Sequence, residues 1–317
     1  MAEITSDVSK AVNLLKNGGL IGFPTETVYG LAANGLNPDA VVKIFQVKNR
    51  PSFDPLIIHT HSVTEVEKYV KNIPRKARRL AELFWPGPLT LVLEKNAIIP
   101  DLVTSGLDTV AMRIPYHPLA LELLHQLHFP LAAPSANPFG YVSPTTPNHV
   151  NSQLSDKISL ILDGGQCDIG LESTIIGFNG DKVIIYRLGG KIIEEIEDAV
   201  GKVKIMLNEG SNPKAPGMLD KHYAPGTPLV LGNLDQLVVD HGEKEIGILS
   251  LSKSYETIDQ KNQIQLSSKG DLGEAAKNLF KSLRHFDSMK LDVILAEKMP
   301  DHGLGRAIND RLKRAAS

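Results

Sequence analysis

The sequence predicts a two-domain protein: a larger mixed α/β or α+β domain, followed by a small open α/β sheet. Short apolar runs typical of strands alternate with segments of helical periodicity along most of the 317 residues. A segment rich in proline and glycine, Gly210 to Pro228, interrupts this alternation and marks a domain boundary. Beyond it, strand-like runs surround one long amphipathic stretch, which is typical of a small open α/β sheet.

Several elements of the first domain have clear local signals. Val8 to Lys16 has helical spacing and is followed by two glycines, which end a helix. Asn37 is a suitable cap for a helix over Pro38 to Val47. The other predicted elements are strands at Leu20–Phe23, Leu56–Ile58, Leu89–Leu93, Thr109–Pro115, Leu160–Leu162, Val183–Tyr186 and within Gly170–Ile176; helices at Val63–Val70, Pro74–Phe84 and Pro118–Leu127; a small-residue strand and turn at Pro130–Pro138; and an amphipathic stretch at Ile192–Leu207.

The second domain shows a regular order of strands around a single strong helix. That helix is predicted from about Gly273 to Ser288, where the apolar residues keep helical spacing. A final basic helix is predicted over Ala307 to Ala315. The predicted strands are Leu229–Leu231, Ile246–Leu251, Gln263–Leu266 and Val293–Glu297.

Composition excludes several classes of protein. The hydrophobic content of 42% and charged content of 22% are those of ordinary globular proteins. A net charge of -2 provides no global field that would attract nucleic acid or an anionic membrane. Cys167 is the only cysteine, which excludes intramolecular disulfides, zinc ribbons and iron–sulfur clusters. With a polar N-terminus and no apolar run of about 18 residues, we expect a cytoplasmic protein that does not enter membranes.

The stretch from Leu20 to His59 is the first candidate for an anion site. Its first strand ends at Pro24, and hydroxyl side chains follow at once. Its second strand is preceded by the cations Lys48 and Arg50, which suit oxyanions. An ordinary solvated turn is the alternative interpretation, since charge clusters are often only surface features.

Arg113 is a second candidate, because it lies inside an apolar strand. A charge in such a strand needs either a ligand or an internal salt-bridge partner, and both interpretations stay open. Other strand ends carry further hydroxyls, amides and cations, but no nucleophile–base pair and no glycine-rich phosphate loop is evident. This pattern favours binding of several anionic oxygens over covalent catalysis.

Three motifs together closely resemble the YrdC-like family of L-threonylcarbamoyladenylate synthases. They are Phe23 to Leu31, Lys48-x-Arg50-Pro51 and Ser135-x-Asn137. The resemblance covers about Val8 to Ile193. The tail resembles the long form with an extra C-terminal domain, through the segments Ala215–Met218, His222–Gly226 and Gly303–Arg311.

The resemblance implies a fold and a reaction. The fold is a twisted mixed-sheet domain with a wide basic cavity (1–195), a linker that acts as a lid (196–228) and a smaller Rossmann-like domain (229–317). The enzyme would be a nucleotidyltransferase that forms threonylcarbamoyl-AMP and pyrophosphate from ATP, L-threonine and bicarbonate. The product would feed a partner complex that modifies tRNA next to the anticodon; whether this chain itself binds tRNA stays open.

The resemblance also implies roles for individual residues. The threonine side would be formed by Thr27, His59, Arg113, Ala133 and Ser173. The catalytic cations would be Lys48 and Arg50, and ATP would be bound by Arg50, Asp54, Thr109, Ser135, Asn137, Ser143, Arg187 and Tyr223. Mg²⁺ would arrive with ATP and would have no dedicated protein site. One departure is Asp54, where the family usually has asparagine, because a carboxylate near a triphosphate repels it unless a cation intervenes.

Two rival functions stand beside this one. The cavity could serve as an RNA-binding module, extended by Lys76, Arg78 and Arg79, although the net charge of -2 argues against it. It could instead belong to a carbamoyltransferase that resembles the YrdC-like part of hydrogenase-maturation proteins. The zinc fingers of those proteins need more than one cysteine.

Overall fold

Two β-sheets, one of eleven strands and one of four, organise the computed structural model of this protein. The structure describes residues 1–207, 215–216, 218 and 222–316. Within these residues, none of the helices combines the length and the apolar character needed to cross a membrane.

The large sheet and its helices account for the first domain. Its strands are β1 (Glu3–Thr5), β2 (Ile21–Phe23), β3 (Gly30–Asn34), β4 (Ile57–His59), β5 (Leu89–Glu94), β6 (Thr109–Arg113), β7 (Leu131–Ala132), β8 (Leu160–Leu162), β9 (Thr174–Asn179), β10 (Lys182–Arg187) and β11 (Lys204–Ile205). Its helices are α1 (Val8–Lys16), α2 (Pro38–Lys48), α3 (Val63–Tyr69), α4 (Arg75–Phe84), α5 (Asp101–Thr104), α6 (Pro118–His125), α7 (Pro147–Leu154) and α8 (Ile193–Val200).

The order of strands in the large sheet is β1-β8-β2-β3-β7-β4-β6-β5-β9-β10-β11. Parallel and antiparallel pairs are mixed: β4 runs parallel to β6, whereas β5 is antiparallel to β6 and β9 is antiparallel to β10. Neighbouring strands in this sheet are often far apart in the sequence. Residues from distant parts of the chain therefore come together where these strands end.

The second domain is a parallel sheet of four strands in the order β12-β15-β13-β14. A long helix, α10, carries the apolar side that the sequence indicates, with Leu279, Phe280 and Leu283 fully buried. The elements are β12 (Leu229–Gly232), α9 (Leu234–Asp240), β13 (Ile246–Ser250), β14 (Gln263–Gln265), α10 (Leu272–Asp287), β15 (Val293–Glu297) and α11 (Leu304–Ala315).

The helix α10 lies directly against the first domain. Its backbone passes so close to Gly170 that a Cβ atom there would lie 2.6 Å from Lys277 Cα. Arg284 of α10 donates from Nε to the carbonyl of Ser143 (3.3 Å) and from Nη2 to Oε1 of Gln153 (2.9 Å). These contacts join the two domains through backbone packing as well as through charge.

The linker between the domains also packs on the first one. Ala215 and Met218 are buried against an apolar cluster on the large sheet that includes Ile57 and Ile175. Ala224 donates its backbone N–H to the carbonyl of Gly140 at 2.9 Å. The residues 208–214, 217 and 219–221, on which part of the predicted lid falls, lie outside the described residues.

The predicted combination of a large twisted mixed sheet with a smaller parallel-sheet domain is confirmed, while the wide basic cavity stays a prediction. Most predicted elements are found within one to three residues of their expected ends. Asn37 caps α2 as expected, since its side chain accepts from Asp39 and Ala40. The strand predicted in Pro130–Pro138 is shorter than expected and covers only β7. The sequence pattern does not reveal the elements without a strong local signal, namely β1, β3, α5, α7, α9 and β11. The domain boundaries at 195 and 228 stay predictions.

The close approach at Gly170 leads to the first testable prediction. Gly170 has φ +76°, and Gly106 has φ +80° with no atom within 4 Å of the point that an alanine Cβ would occupy. Both alanine variants therefore carry the left-handed strain of about 1–2 kcal/mol, but only Gly170→Ala also collides with α10. We expect Gly170→Ala to lower the free energy of urea unfolding by about 1–3 kcal/mol more than Gly106→Ala does. Equal losses in the two variants would show that α10 does not press on this turn.

Candidate active site

The ends of four strands meet at one edge of the large sheet. In the parallel pair of β4 and β6, the last residues, His59 and Arg113, lie opposite each other. The antiparallel hairpin of β9 and β10 brings Arg187, at the end of β10, beside the start of β9. Ser173 immediately precedes β9, so that all four residues face one region. The topology thus gathers cations and hydroxyls that are far apart in the chain.

A cavity lies at this edge. Its volume is about 590 Å³ with the part open to solvent included, and the centres of water-sized molecules can occupy about 50 Å³ of it. Its wall carries the guanidinium groups of three arginines and the carboxylate of one glutamate. The lining residues are Phe23, Thr25, Thr27, Val28, Gly30, Arg50, Pro55, Ile57, His59, Arg113, Ala133, Pro134, Ser135, Glu172, Ser173, Arg187, Pro216, His222 and Tyr223.

Lys48 and Arg50 are not an ordinary solvated turn, so that interpretation was wrong. Lys48 is 2% exposed, and its Nζ donates to the carbonyls of Ser135 and Asn137. Burial, aided by the charge of Arg50, holds the pKa of Lys48 well below its usual range. Lys48 is not among the lining residues; here it ties the end of α2 to the Ser135–Asn137 turn.

Arg50 is engaged with the loop that follows it. Its Nε donates to the carbonyl of Asp54 (3.0 Å), and its Nη2 donates to the carbonyl of Pro55 (2.9 Å). The same Nη2 lies 2.9 Å from Oδ2 of Asp54, whose side chain is fully buried. The carboxylate of Asp54 therefore has a cation beside it. Because Arg50 offsets its negative charge, Asp54 need not repel a triphosphate in the way that the sequence suggests.

Thr109 is separated from the cavity. It begins β6, while Arg113 ends the same strand, so the two Cα atoms lie about 13 Å apart at the usual rise of a strand. Asn137 and Ser143 are buried close by but are not among the lining residues. The Nδ2 of Asn137 donates to the carbonyl of Tyr141 at 2.8 Å, which holds the turn.

Arg113 combines the two interpretations that the sequence leaves open. It is 4% exposed and lines the cavity, and its Nη2 lies 2.8 Å from Oε1 of Glu26. Its Nε donates to the carbonyl of Gly87 at 3.3 Å. Burial, together with the charge of Arg113, lowers the pKa of His59 to about 3, so this imidazole is neutral near pH 7.

Arg187 and Glu172 are two further charged residues of the cavity wall. Arg187 donates from Nε to the carbonyl of Ser173 (3.0 Å) and from Nη2 to its Oγ (3.1 Å), which fixes the serine hydroxyl. Glu172 accepts from Ser143 Oγ at 2.5 Å and from Arg311 Nε at 2.9 Å. Burial alone would raise the pKa of Glu172, but the charges of Arg311 and Arg187 and the hydrogen bond from Ser143 lower it.

The linker contributes His222 and Tyr223 to the wall of the cavity. Tyr223 is 1% exposed and has φ +66°. Its ring stacks on Phe280 of α10 with centroids 5.7 Å apart, and the guanidinium of Arg311 lies 4.8 Å from its centroid. Its hydroxyl is buried without a hydrogen-bond partner among the described residues. The second domain therefore holds a linker tyrosine against the cavity of the first.

Most of the residues predicted from the resemblance meet at this cavity. Nine of them line it: Thr27, Arg50, His59, Arg113, Ala133, Ser135, Ser173, Arg187 and Tyr223. Lys48, Asp54, Asn137 and Ser143 are buried behind the wall, and Thr109 lies apart. Their contacts with substrates stay predictions.

Sequence reasoning misses Glu172, Arg311 and His222 as parts of the site. Glu172 is an acid in a short run of apolar and hydroxyl residues, the same signal that draws attention to Arg113. Arg311 belongs to a helix predicted as basic, yet its side chain is fully buried. Only the packing of the two domains shows that this arginine reaches the cavity wall.

The arrangement suits binding of anions rather than nucleophilic attack by the protein. The only cysteine, Cys167, is buried, and burial raises the pKa of its thiol. Among the residues that the structure describes, no three histidine, cysteine, aspartate or glutamate side chains group as metal ligands. The acid on the wall, Glu172, already binds Arg311 and Ser143.

Comparisons with known proteins agree on one family. Residues 13–189 match the Sua5_yciO_yrdC family model, described as "Telomere recombination", and residues 192–317 match the model described as the C-terminal domain of threonylcarbamoyl-AMP synthase. The threonylcarbamoyl-AMP synthase of Pyrococcus abyssi is 42% identical over 96% of this chain and 93% of its own length. That of Bacillus subtilis is 39% identical over 98% of this chain and 92% of its own length. A crystal structure of P. abyssi Sua5 complexed with L-threonine superposes with a TM-score of 0.93, at 40% identity, over 99% of this chain and 97% of that one.

The lowered pKa of His59 predicts a pH dependence of stability. Between pH 6.5 and about 3, the unfolded chain binds a proton at this histidine that the folded protein does not, so stability falls as the pH falls through this window. In His59→Gln, the free energy of unfolding should fall less steeply as the pH is lowered, by up to about 1.4 kcal/mol per pH unit. Urea unfolding between pH 4.5 and 6 measures this slope. The control, His128→Gln at an exposed position, should keep the slope of the unaltered protein. Identical slopes in all three proteins would contradict a neutral, buried His59.

Proposed function

This chain belongs to the Sua5_yciO_yrdC family and carries the C-terminal domain of threonylcarbamoyl-AMP synthases, and from that premise we propose that its cavity joins ATP, L-threonine and bicarbonate. The chain is an enzyme that forms threonylcarbamoyl-AMP, as its relatives from Pyrococcus abyssi, Bacillus subtilis and Schizosaccharomyces pombe are named for doing. The assignment of substrates to individual residues is the part that we propose here.

The reaction has two steps in which atoms and charges balance. The amine of threonine attacks the carbon of bicarbonate, and water leaves, which yields the carbamate. An oxygen of the carbamate then attacks the α-phosphorus of ATP, and pyrophosphate leaves. Neither step needs a protein nucleophile, which agrees with a wall made of cations, hydroxyls and one engaged carboxylate.

The observation that carries the proposal is the meeting of the predicted threonine and ATP residues in one cavity. Thr27, His59, Arg113, Ala133 and Ser173 lie on the same wall as Arg50, Ser135, Arg187 and Tyr223. In this cavity the guanidinium of Arg113 would bind the threonine carboxylate, and the neutral His59 would not compete for it. Arg50 and Arg187 would offset the charge of the phosphates.

Binding of nucleotide requires the lid to move. The space of about 50 Å³ that the centres of water-sized molecules can occupy is too small for a nucleotide. Of the linker residues that the structure describes, Pro216, His222 and Tyr223 line the cavity. We propose that they move apart to admit ATP and then close again, which excludes water from the mixed anhydride that forms.

Further components follow from the reaction rather than from the cavity itself. We propose that Mg²⁺ enters on the triphosphate and that its positive charge offsets the charge developing on pyrophosphate. Lys48 would join Arg50 as a catalytic cation only if it left the carbonyls of Ser135 and Asn137. We also propose a cytoplasmic location and transfer of the product to a tRNA-modifying complex, since the adenylate is an activated intermediate.

Neither rival function gains an observation in its favour. Arg78, which would extend an RNA surface, is paired with Glu67 at 3.0 Å. For the carbamoyltransferase alternative, the structure resembles two HypF proteins at 20–21% sequence identity. This likeness shows a shared fold and nothing more.

The proposed function is tested by measuring pyrophosphate release and product mass with ATP, L-threonine and bicarbonate, omitting each in turn. We expect release only when all three are present, together with the mass of threonylcarbamoyl-AMP. Release of pyrophosphate without threonine, or the absence of turnover from folded protein, would contradict the proposal.

The unpartnered hydroxyl of Tyr223 leads to a further prediction. Tyr223→Phe keeps the ring between Phe280 and Arg311 and removes only the hydroxyl, so thermal stability should change little. If that hydroxyl donates to a nucleotide oxygen, the KM for ATP should rise by about 3- to 10-fold while the KM for threonine stays constant. Tyr116→Phe, on an exposed ring, is the matched control. An unchanged KM for ATP would remove the hydroxyl from the nucleotide site.

A further inference from the structure

A buried carboxylate lies behind the cavity wall and takes no part in the proposed reaction. Glu26 is 3% exposed, and neither of its carboxylate oxygens accepts a hydrogen bond from any residue that the structure describes. Buried carboxylates normally accept several hydrogen bonds, because the loss of hydration is otherwise very unfavourable. An acid left in this state is more easily explained by a task than by stability.

The compensating charge is that of Arg113. The distance between Glu26 Oε1 and Arg113 Nη2 is 2.8 Å, but the two groups do not align as a hydrogen bond, so Nη2 also lacks a partner among the described residues. Arg113 is oriented independently by its bond from Nε to the carbonyl of Gly87. Glu26 therefore contributes charge to this arginine more than it contributes geometry.

Neither His59 nor Cys167 adds a charge to the pair. The imidazole of His59 is neutral near pH 7, since burial and Arg113 lower its pKa to about 3. The nearby thiol of Cys167 is also neutral, because burial and the charge of Glu26 raise its pKa. Arg187, a further cation whose charge acts on this side of the cavity, donates to the carbonyl and the hydroxyl of Ser173. The carboxylate that is paired with Arg113 is the buried Glu26.

We propose that Glu26 is a specificity-determining residue, whose charge makes the Arg113 side of the cavity select zwitterions over simple carboxylates. The inference rests on the proposed binding of threonine at Arg113. With Glu26 in place, a carboxylate that approaches Arg113 is attracted by one charge and repelled by another, so a monoanion gains little. A zwitterion gains more, because its ammonium group lies in the negative potential of Glu26 while its carboxylate meets Arg113.

Two analogues of threonine separate these charges. (R)-3-Hydroxybutyrate keeps the carboxylate and hydroxyl of L-threonine and lacks the ammonium, whereas L-threoninol keeps the ammonium and lacks the carboxylate. The dissociation constants of all three compounds are measured by titration calorimetry with the full chain, its Glu26→Gln variant and its Glu26→Asp variant. Glu26→Gln removes the charge with little change in shape, and Glu26→Asp retains the charge.

We expect the unaltered protein to bind threonine at least about tenfold more tightly than either analogue. In Glu26→Gln, the affinity for hydroxybutyrate should rise about tenfold and that for threoninol should fall about tenfold, while threonine changes less than about threefold because the two effects oppose each other. Glu26→Asp should keep the original ranking. The matched control is Glu194→Gln, which removes a charge paired with Arg306 at 2.8 Å outside the cavity and should leave all three affinities unchanged.

The outcomes distinguish the possible failures. If Glu26→Gln lowers the affinity for all three compounds equally, the residue only maintains structure and the inference is overturned. Binding of hydroxybutyrate within about threefold of threonine by the unaltered protein would also overturn it, and this result needs no variant to fold. If the unaltered protein binds no threonine at all, it is the proposed threonine site itself that fails.

Discussion

The buried ion pair between Arg311 and Glu172 is the contact on which the cavity wall and the position of Tyr223 both depend. Arg311 comes from the last helix of the second domain and is fully buried, with its Nε 2.9 Å from Glu172 Oε2 and its Nη2 2.8 Å from the carbonyl of Leu188. Loss of one partner from such a pair leaves an uncompensated buried charge, at a cost of about 3–5 kcal/mol. One guanidinium thus holds the wall of the first domain and also lies over the ring of Tyr223.

This arrangement gives the C-terminal domain a physical task at the active site without placing it among the lining residues. Phe280 and Arg311 contact the ring of Tyr223, so the second domain helps to position this residue at the cavity. Asp287 accepts from the backbone of Thr227 at 2.7 Å, which fixes the end of the linker to α10. Any displacement of Tyr223 from the cavity would therefore break contacts with the second domain, because stacking, charge and a backbone hydrogen bond hold this part of the linker in place.

Charge on the cavity wall is balanced locally rather than accumulated. Arg50 is paired with Asp54, Arg113 with Glu26, and Glu172 with Arg311. Local pairing lowers the electrostatic cost of burying so many ions and explains how a protein of net charge -2 can contain an anion site. It also means that Arg50 and Arg113 each have a carboxylate beside them that competes with any other anion for the guanidinium group.

The sequence by itself determined the fold class, most strands and helices, and the chemical character of the site, because periodicity, capping residues and motifs such as Lys48-x-Arg50 are local signals. Short elements such as β1 and β11 escape prediction, since two or three residues carry too little pattern and form only by pairing with a neighbour. The partners of the charges were decided by tertiary structure alone. Nothing near Arg311 in the chain indicates Glu172, 139 residues away, and nothing near Arg113 indicates Glu26. These long-range pairs depend on the order of the strands and on the packing of α10 and α11 against the first domain. The charges become buried, and so need their partners, only once both domains have packed.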